Sequence, residues 1–274
     1  MYKYLRWPNF KPKALTLSYD DGVAADAKMI SIMSPYGIKG TFNINSGRLQ
    51  DERTYFIGRN EIKQVYLETG NEVALHGHMH LSLGEVDMQD AIVDVYENRK
   101  ALEEICGKQI RGMAYANDSY SDDVVTFLKA FGVKYARTTD ATHNFFLPKD
   151  WLRMTATCHH NDERLFELAE AFAAFDFKKH YDWRPRLFYL WGHAYEFDND
   201  NNWDRLEAFC KIVGNKDDIW YATNEEIYDY VKAYEMLQFS LDDSQVYNPS
   251  LFDIYVIFDE TPTLIKSGET KKLK

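Results

Sequence analysis

Apolar and polar residues follow two patterns, which alternate along the chain. Apolar runs of about four to eight residues are typical of buried strands, and apolar residues three and four positions apart are typical of helices. The predicted strands are residues 13–20, 40–45, 71–76, 110–116, 133–138, 186–193 and 219–223. The predicted helices are residues 26–37, 59–70, 85–107, 121–132, 162–177, 202–214 and 224–237.

Strands that alternate with crossover helices predict an α/β fold with parallel strands. Roughly seven such units in a chain of this length favour a closed or nearly closed barrel over an open sheet. The pattern changes near residue 240, where helical periodicity is lost and turn residues separate β-branched runs. We therefore predict a barrel over residues 1–239 and a small strand-rich extension, residues 240–274, packed on it.

Charge and composition restrict the classes of partner. The chain has 274 residues and a formal net charge of −11, which argues against nucleic acid or an anionic membrane as the main partner. Aromatic residues make up 15%, which fits either a large core or a groove in which sugars stack on rings. Composition alone favours the large core.

Cysteine usage and apolar runs bear on where the protein is found. The three cysteines are far apart, so reduced thiols are the simplest interpretation. The first residues carry no apolar leader, and no run reaches the ~18 apolar residues of a membrane span. The expectation from these features is a cytoplasmic protein with no membrane partner; the oligomeric state stays open.

Chemically active side chains collect where predicted strands end. In a barrel of parallel strands, reactive groups occupy the loops that follow the carboxyl ends of the strands. Three clusters meet this description: Asp20 with Asp21, then His76 with His78 and His80, and finally His193.

The segment HGHMH holds three of the chain's eight histidines and indicates a metal site. In a strand, His76, His78 and His80 would share one face, whereas in a helical turn only His76 and His80 are neighbours. The turn begins near His76, which favours His76 and His80. Two histidines, one acid from Asp20 or Asp21 and an open position form a typical catalytic zinc site.

Four segments, LSYDDG, HGHMHLSL, RGMAYA and LWGH, stand in the order seen in one enzyme family. Over residues 13–230 the chain resembles the polysaccharide deacetylase (NodB-homology) family, carbohydrate esterase family 4. The resemblance implies a distorted (β/α)7-type barrel, TIM-like but with seven strands. It also implies metal-dependent removal of N- or O-linked acetyl groups from carbohydrates.

The resemblance carries roles onto individual residues. It implies Asp20 as general base, Asp21, His76 and His80 as ligands of one divalent ion (zinc being expected), Arg111 as the partner of Asp20, and His193 as general acid. The backbone N–H of Asn117 is a candidate for stabilising the oxyanion. Side chains that could line a sugar groove, or simply pack, are Tyr115, Trp151, Trp191 and Tyr195.

The chain departs from the family pattern in places. Ala116 stands where a proline is usual, and Ala114 where a second arginine is often present. The family's Asp-Trp motif is matched only loosely by Asp150 and Trp151. A second metal site is a weaker possibility at the CHH segment, Cys158, His159 and His160, in a loop-like region that also contains His143.

Two other functions stay open at this point. One is another C–N hydrolase on the same fold, which would open cyclic amides or imides. The other is a carbohydrate-binding protein that has lost catalysis. The presence of Asp20, Asp21, His76, His80 and His193 favours the deacetylase, with an acetylated sugar or oligosaccharide as substrate.

Overall fold

The computed structural model describes residues 2–180 and 182–273. The strands are β1 (Lys3–Arg6), β2 (Lys13–Asp21), β3 (Gly40–Ile44), β4 (Glu72–Leu75), β5 (Gly112–Ala114), β6 (Tyr135–Ala141), β7 (Met154–Ala156), β8 (Cys158–His159), β9 (Arg186–Gly192), β10 (Ile219–Tyr221), β11 (Gln238–Phe239), β12 (Gln245–Tyr247), β13 (Ile254–Phe258), β14 (Thr261–Ile265) and β15 (Thr270–Lys272). The helices are α1 (Ala25–Met33), α2 (Met88–Cys106), α3 (Asp122–Phe131), α4 (Leu165–Ala174), α5 (Phe177–His180), α6 (Ala194–Asn199), α7 (Trp203–Val213) and α8 (Asn224–Glu235).

The central sheet is parallel and has the order β7-β6-β5-β4-β3-β2-β9-β8. Only Thr157 separates β7 from β8, and these two short strands pair with opposite edges of the sheet, β6 and β9. The Thr157 N–H donates to the Tyr189 carbonyl at 2.8 Å, which extends the pairing of β8 with β9 by one residue. The two edges therefore meet along residues 154–159, and the predicted α/β barrel of parallel strands is confirmed, with nine strands in its sheet over the described residues when β10 is included.

The strand that closes the barrel was not predicted. Residues 154–159 alternate small, polar and sulfur-containing side chains, so they form no apolar run. The predicted strand at residues 219–223 exists as β10, but it pairs only with the first three residues of β2. Residues 59–70 are helical without an α-helix: they form a 3₁₀ turn, Arg59–Glu61, and a π-helical segment, Lys63–Leu67.

The last part of the chain forms two small antiparallel sheets. One has the order β1-β13-β14, so the C-terminal segment pairs with the N-terminal strand. The other has the order β11-β12-β15. A division at residue 240 stays a prediction, because β1 and β11 lie before this point and pair with strands beyond it. No helix within the described part of the chain is long and apolar enough to cross a membrane.

Parallel pairing places the carboxyl ends of β2, β3, β4, β5 and β9 at one end of the barrel, here called the mouth. Beneath the mouth, β2 is buried almost throughout because it lies at the centre of the sheet. Asp20 therefore projects from a nearly inaccessible strand, and the mouth is where the chain's polar clusters can meet.

Candidate active site and metal centre

The two adjacent acids occupy the last positions of β2. Neighbouring side chains of a regular strand point to opposite faces. Asp21 has φ 79°, and this left-handed conformation interrupts the pleat. Both carboxylates consequently lie near one imidazole, with His76 Nε2 at 4.0 Å from Asp20 Oδ2 and 3.7 Å from Asp21 Oδ1.

The next residue must be glycine. Gly22 has φ 68°, and a Cβ at this position would lie 2.9 Å from Ile44 Cγ2. A side chain would thus be strained by the backbone conformation and by the wall of β3. A glycine directly after the two aspartates is therefore needed for the chain to turn while both carboxylates face the mouth.

Two side chains of α2 shape the HGHMH loop. The His76 N–H donates to Asn98 Oδ1 at 3.0 Å, and the Met79 N–H donates to Asp94 Oδ1 at 2.6 Å. His80 has φ 61°, so the segment curls back instead of continuing β4. The rings of His76 and His80 come to 4.8 Å between centroids at an angle of 77°.

Asp21, His76 and His80 direct three ligand atoms at one another. Asp21 Oδ1 lies 3.7 Å from His76 Nε2 and 3.5 Å from His80 Nε2. These separations are long for hydrogen bonds, and buried Asp21 Oδ1 has no hydrogen-bond partner among the described residues. An unpartnered buried oxygen between two imidazoles fits a cation.

The tautomer of His76 supports this interpretation. His76 Nδ1 lies 2.9 Å from the Ala114 carbonyl, which can only accept, so Nδ1 carries the proton. The Nε2 lone pair is then free for a metal, the arrangement usual for metal-ligating histidines. Burial, followed by the neighbouring His76, lowers the pKa of His80, which also favours the neutral ligand form.

His78 lies outside this group. Its Nδ1 is 2.9 Å from the hydroxyl of Ser46, in the turn after β3. The structure therefore brings together the two histidines expected from the helical-turn geometry and holds the third against a neighbouring loop.

Asp20 is buried and hydrogen-bonded on both oxygens. Oδ1 accepts from Asn43 Nδ2 at 2.8 Å, and Oδ2 accepts from Arg137 Nη2 in a short contact. Burial alone would raise the pKa of Asp20, but the charge of Arg137 and the nearby His76 and His193 outweigh it and lower the pKa to about 2. Asp20 is thus an ionised carboxylate in the mouth.

The expected partnership of Arg111 with Asp20 is wrong. Arg111 precedes β5 and so lies at the amino-terminal end of the barrel strands, opposite the mouth. Its guanidinium donates to Glu225 at 2.8 Å and to Asp229 at 2.7 Å, both on α8. Arg137, inside β6, is the arginine that reaches Asp20.

His193 follows β9 and lies on the other side of Asp20. Its Nε2 is 3.9 Å from Asp20 Oδ2, and its Nδ1 is 3.5 Å from Glu196 Oε1. Glu196 also accepts the His193 backbone N–H at 3.1 Å, which fixes the start of α6. Burial lowers the pKa of His193, but Glu196 and Asp20 more than offset this and leave the pKa raised.

Glu196 is shared with two further histidines. Its Oε2 lies 3.1 Å from Nε2 of His159 and 3.1 Å from Nε2 of His160, so the three residues could also hold a metal ion. However, His159 Nδ1 accepts the Asn161 N–H at 3.1 Å. A neutral imidazole that accepts at Nδ1 carries its proton on Nε2, so His159 donates to Glu196.

His160 is a packed, neutral ring. It stacks on Phe197 at 4.2 Å and on Tyr19 at 5.6 Å between centroids. Burial lowers its pKa to about 3. His143, the other histidine of this region, is not in this cluster and pairs with Asp162 at 2.6 Å. The tautomer of His159 thus makes the cluster around Glu196 a hydrogen-bonded support for His193.

The candidate groove residues occupy different positions. Trp191 and Tyr195 are half-buried at the mouth, Trp191 beside the Arg137 guanidinium at 4.4 Å and Tyr195 beside the His193 ring at 5.1 Å. Asn117 is exposed just beyond β5. Tyr115, in contrast, is buried with its hydroxyl donating to the Leu152 carbonyl at 2.8 Å, so it packs in the interior instead of lining a groove.

Asp150 and Trp151 do not reach the mouth. Both precede β7, and Asp150 accepts from Leu152 and Arg153. Trp151 is buried against Tyr228 of α8, with ring centroids 5.1 Å apart. The loose match to an Asp-Trp motif therefore corresponds to a surface acid and a core tryptophan.

Sequence reasoning missed three residues around Asp20 and His193. Arg137 had a visible signal, because it is a charged residue inside the apolar strand run of residues 133–138. Asn43 had a similar one in β3. Glu196 had a local signal, since a glutamate three residues after a helix N-cap is typical of a capping box.

Comparison with known proteins indicates one family. The sequence model of the polysaccharide deacetylase family matches residues 8–136, which include Asp20, Asp21 and the HGHMH loop. Among curated proteins, no match to the chain was found.

Solved structures share the fold at low sequence identity. A protein from Mycobacterium smegmatis assigned to the polysaccharide deacetylases has 16% identity and a TM-score of 0.60, over 87% of this chain and 96% of that chain. An allantoinase has 14% identity and a TM-score of 0.59, over 81% and 91%. The Xyl-CE4 domain of a xylanase from the hindgut metagenome of Trinervitermes trinervoides has 12% identity and a TM-score of 0.55, over 81% and 92%. The chain is therefore similar to the polysaccharide deacetylase family in sequence over residues 8–136 and in fold over most of its length, and this similarity indicates a hydrolase of amide or ester bonds.

Proposed function

We propose that this protein removes N- or O-linked acetyl groups from a sugar or oligosaccharide with the help of one divalent metal ion. The observation that carries the proposal is the convergence of Asp21 Oδ1, His76 Nε2 and His80 Nε2 beside a buried, ionised Asp20. A ligand set and a base that share one end of the barrel are what metal-assisted hydrolysis needs.

Asp21, His76 and His80 are the proposed metal ligands. Two imidazoles and one carboxylate suit zinc and leave a coordination position open. When bound, the ion supplies Lewis acidity, which polarises an acyl carbonyl and acidifies a water molecule. The free Nε2 of His76 and the unpartnered Oδ1 of Asp21 are the features of this chain that fit such an ion.

Asp20 is the proposed general base. Arg137 and Asn43 hold its carboxylate ionised and fixed in orientation, so it can accept the proton of the attacking water. The Arg137 guanidinium only donates hydrogen bonds and has no acceptor atom for the proton of the water. Its proposed role is to position Asp20.

His193 is the proposed general acid. Its raised pKa favours the imidazolium, which can donate a proton to the leaving amine or alkoxide. Glu196 accepts from the backbone N–H of His193 and lies beside Nδ1, so Nε2 is the nitrogen that faces Asp20 and the reacting groups. Base and acid thus flank the space in which a substrate acyl group would lie.

The mouth also offers contacts for the rest of the substrate. The half-buried rings of Trp191 and Tyr195 can take the C–H face of a sugar, and the exposed Asn117 can donate its backbone N–H to the acyl oxygen. Tyr115 is buried and takes no part in the proposed sugar stacking or oxyanion stabilisation.

The test measures acetate release from a panel of N- and O-acetylated mono- and disaccharides, with a cyclic ureide as an alternative substrate. We expect acetate release to be abolished by a chelator and restored by zinc, at one metal ion per chain. Preferential opening of the cyclic ureide would point to the cyclic-amide hydrolase instead. Tight sugar binding without turnover would point to a binding protein.

A further inference from the structure

A cavity lies at the end of the barrel opposite the mouth. Its volume is about 540 Å³, and it opens between α8 and the C-terminal strands. Trp220 in its wall is paired in register with Ala14 at the start of β2, which places the cavity at the amino-terminal end of the strands. Arg111, which has no role at the mouth, lies in the same wall.

Aromatic rings supply much of the wall. Trp220 packs edge-on against Tyr230 with centroids 5.5 Å apart, and Tyr230 in turn packs edge-on against Phe252 at 6.4 Å. The Tyr255 N–H donates to the Tyr230 hydroxyl at 3.1 Å and ties β13 to α8. Phe252 is 42% exposed, so an aromatic surface is presented to solvent in a fixed position.

The acidic side chains of the cavity differ in whether they have a cationic partner. Arg111 forms ion pairs with Glu225 and Asp229, and Glu226 forms an ion pair with Lys39 at 2.9 Å. Asp253 accepts the Ser267 N–H at 2.9 Å but has no cationic partner within 4.0 Å in the described part of the chain. One unpaired carboxylate therefore stands next to Phe252 and Tyr255 in the cavity wall.

This combination of groups selects one class of ligand. Aromatic faces contact the C–H face of a sugar ring and also attract cations. An unpaired carboxylate favours an ammonium group and disfavours anionic sugars. A sugar that carries a free amine meets both conditions.

We propose that this cavity binds an amino-sugar unit of the deacetylated product. The identity of the occupant rests on the proposed function, because removal of an N-acetyl group exposes an ammonium on the sugar. A chain with several such units is then held at two places on the enzyme, which raises its local concentration at the mouth. The C-terminal strands have a role in this arrangement, because Phe252, Asp253 and Tyr255 form one side of the cavity.

The test titrates a β-1,4-linked glucosamine tetramer into the full-length protein at low salt and records heat or tryptophan fluorescence. Asp253→Asn and Phe252→Ala should each weaken binding roughly two- to fivefold, because each removes one contact with the ammonium-bearing ring. Tyr247→Ala is the matched control, since Tyr247 is a 40% exposed aromatic residue of the same C-terminal segment and does not line the cavity. The N-acetylated tetramer carries no ammonium and can bind at the mouth, so its affinity should be insensitive to Asp253→Asn.

Binding of the glucosamine tetramer that is unchanged in both variants, or weakened equally by Tyr247→Ala, would overturn the proposal, as would an equal loss of affinity for the acetylated tetramer in Asp253→Asn. All variants should release acetate from a monosaccharide substrate at the wild-type rate and keep the wild-type Tm, which shows that they are folded. Failure of the proposed function would appear separately, as a wild-type protein that releases no acetate. The titration measures binding and needs no turnover. It therefore tests whether the cavity binds the amino sugar even if the protein releases no acetate.

Discussion

Arg137 and Asp20 form a buried ion pair across the barrel interior, with side chains only 1% and 4% exposed. The two residues belong to strands that are not neighbours in the sheet, β6 and β2. The pair is supported by Asn43 on the other oxygen of Asp20 and by Trp191, whose ring lies 4.4 Å from the guanidinium. Removing one partner of a buried ion pair leaves the other charge uncompensated and lowers the free energy of unfolding.

Arg137→Met should lower both activity and stability. The substitution leaves Asp20 as an uncompensated buried charge, and breaking such a pair typically costs about 3–5 kcal/mol of unfolding free energy. We expect kcat to fall by roughly tenfold to a hundredfold, because the base loses its fixed orientation and low pKa. Steady-state kinetics and chemical denaturation measure the two effects.

Arg111→Met is the matched control for this substitution. Arg111 lies in partly exposed ion pairs at the far end of the barrel, so its loss should cost about 1 kcal/mol or less and leave kcat unchanged. The double variant Asp20→Asn/Arg137→Met should recover much of the stability lost by Arg137→Met. Equal losses of kcat in the Arg111 and Arg137 variants would contradict the assignment of Arg137.

The two adjacent aspartates should respond differently to the same change. Asp20→Asn removes the proton acceptor and leaves the three metal ligands, so metal content should persist while turnover falls by roughly 10²–10⁴-fold. Asp21→Asn removes a ligand and should lose both. Metal analysis of the purified variants beside acetate release provides the measurement, and near-wild-type turnover by Asp20→Asn would remove Asp20 from the mechanism.

The histidines of the HGHMH loop provide an internally controlled test of the metal centre. His80→Ala should reduce metal content sharply, because Nε2 of His80 is one of three converging ligand atoms. His78→Ala, two residues away, should keep the metal, since His78 contacts Ser46 instead. Retention of a full metal equivalent by His80→Ala, with loss in His78→Ala, would assign the ligands the other way round.

Glu196→Gln should shift the alkaline limb of the pH–rate profile. His193 must be protonated to act as an acid, so activity falls as pH rises through its pKa, which Glu196 and Asp20 hold above the ordinary value of about 6.5. Without the Glu196 charge the imidazolium is less favoured, the pKa drops and the limb moves to lower pH. Amide substrates should suffer more than activated aryl esters, whose leaving groups need no proton.

Glu167→Gln is the control for Glu196→Gln, because it removes the same charge from the surface of α4. Its profile should match that of the wild-type protein. Metal content should be the same in all three proteins. A loss of a second metal equivalent in Glu196→Gln would instead mean that His159, His160 and Glu196 bind an ion.

The sequence by itself determined the elements that depend on local chemistry. The alternation of apolar runs and helical periodicity predicted an α/β barrel, and the order of the polar clusters after strands predicted where Asp20, Asp21, His76, His80 and His193 would meet. Both follow from short-range rules: burial sets the strand pattern, and parallel strands bring their carboxyl ends to one edge. The choice of His76 and His80 also came from a local feature, the turn that starts at the end of β4.

Only the tertiary structure decided which charges pair. Arg111 precedes β5, Arg137 lies inside β6, and the motif order favoured Arg111. Which arginine pairs with Asp20 depends on its position along the strand and on which strands face each other across the barrel. Closure of the barrel by residues 154–159 likewise depends on hydrogen bonds to both β6 and β9, which no local pattern records. Long-range contacts of this kind are set by packing of the whole chain, and for this protein they determine the partner of Asp20 and the burial of Tyr115.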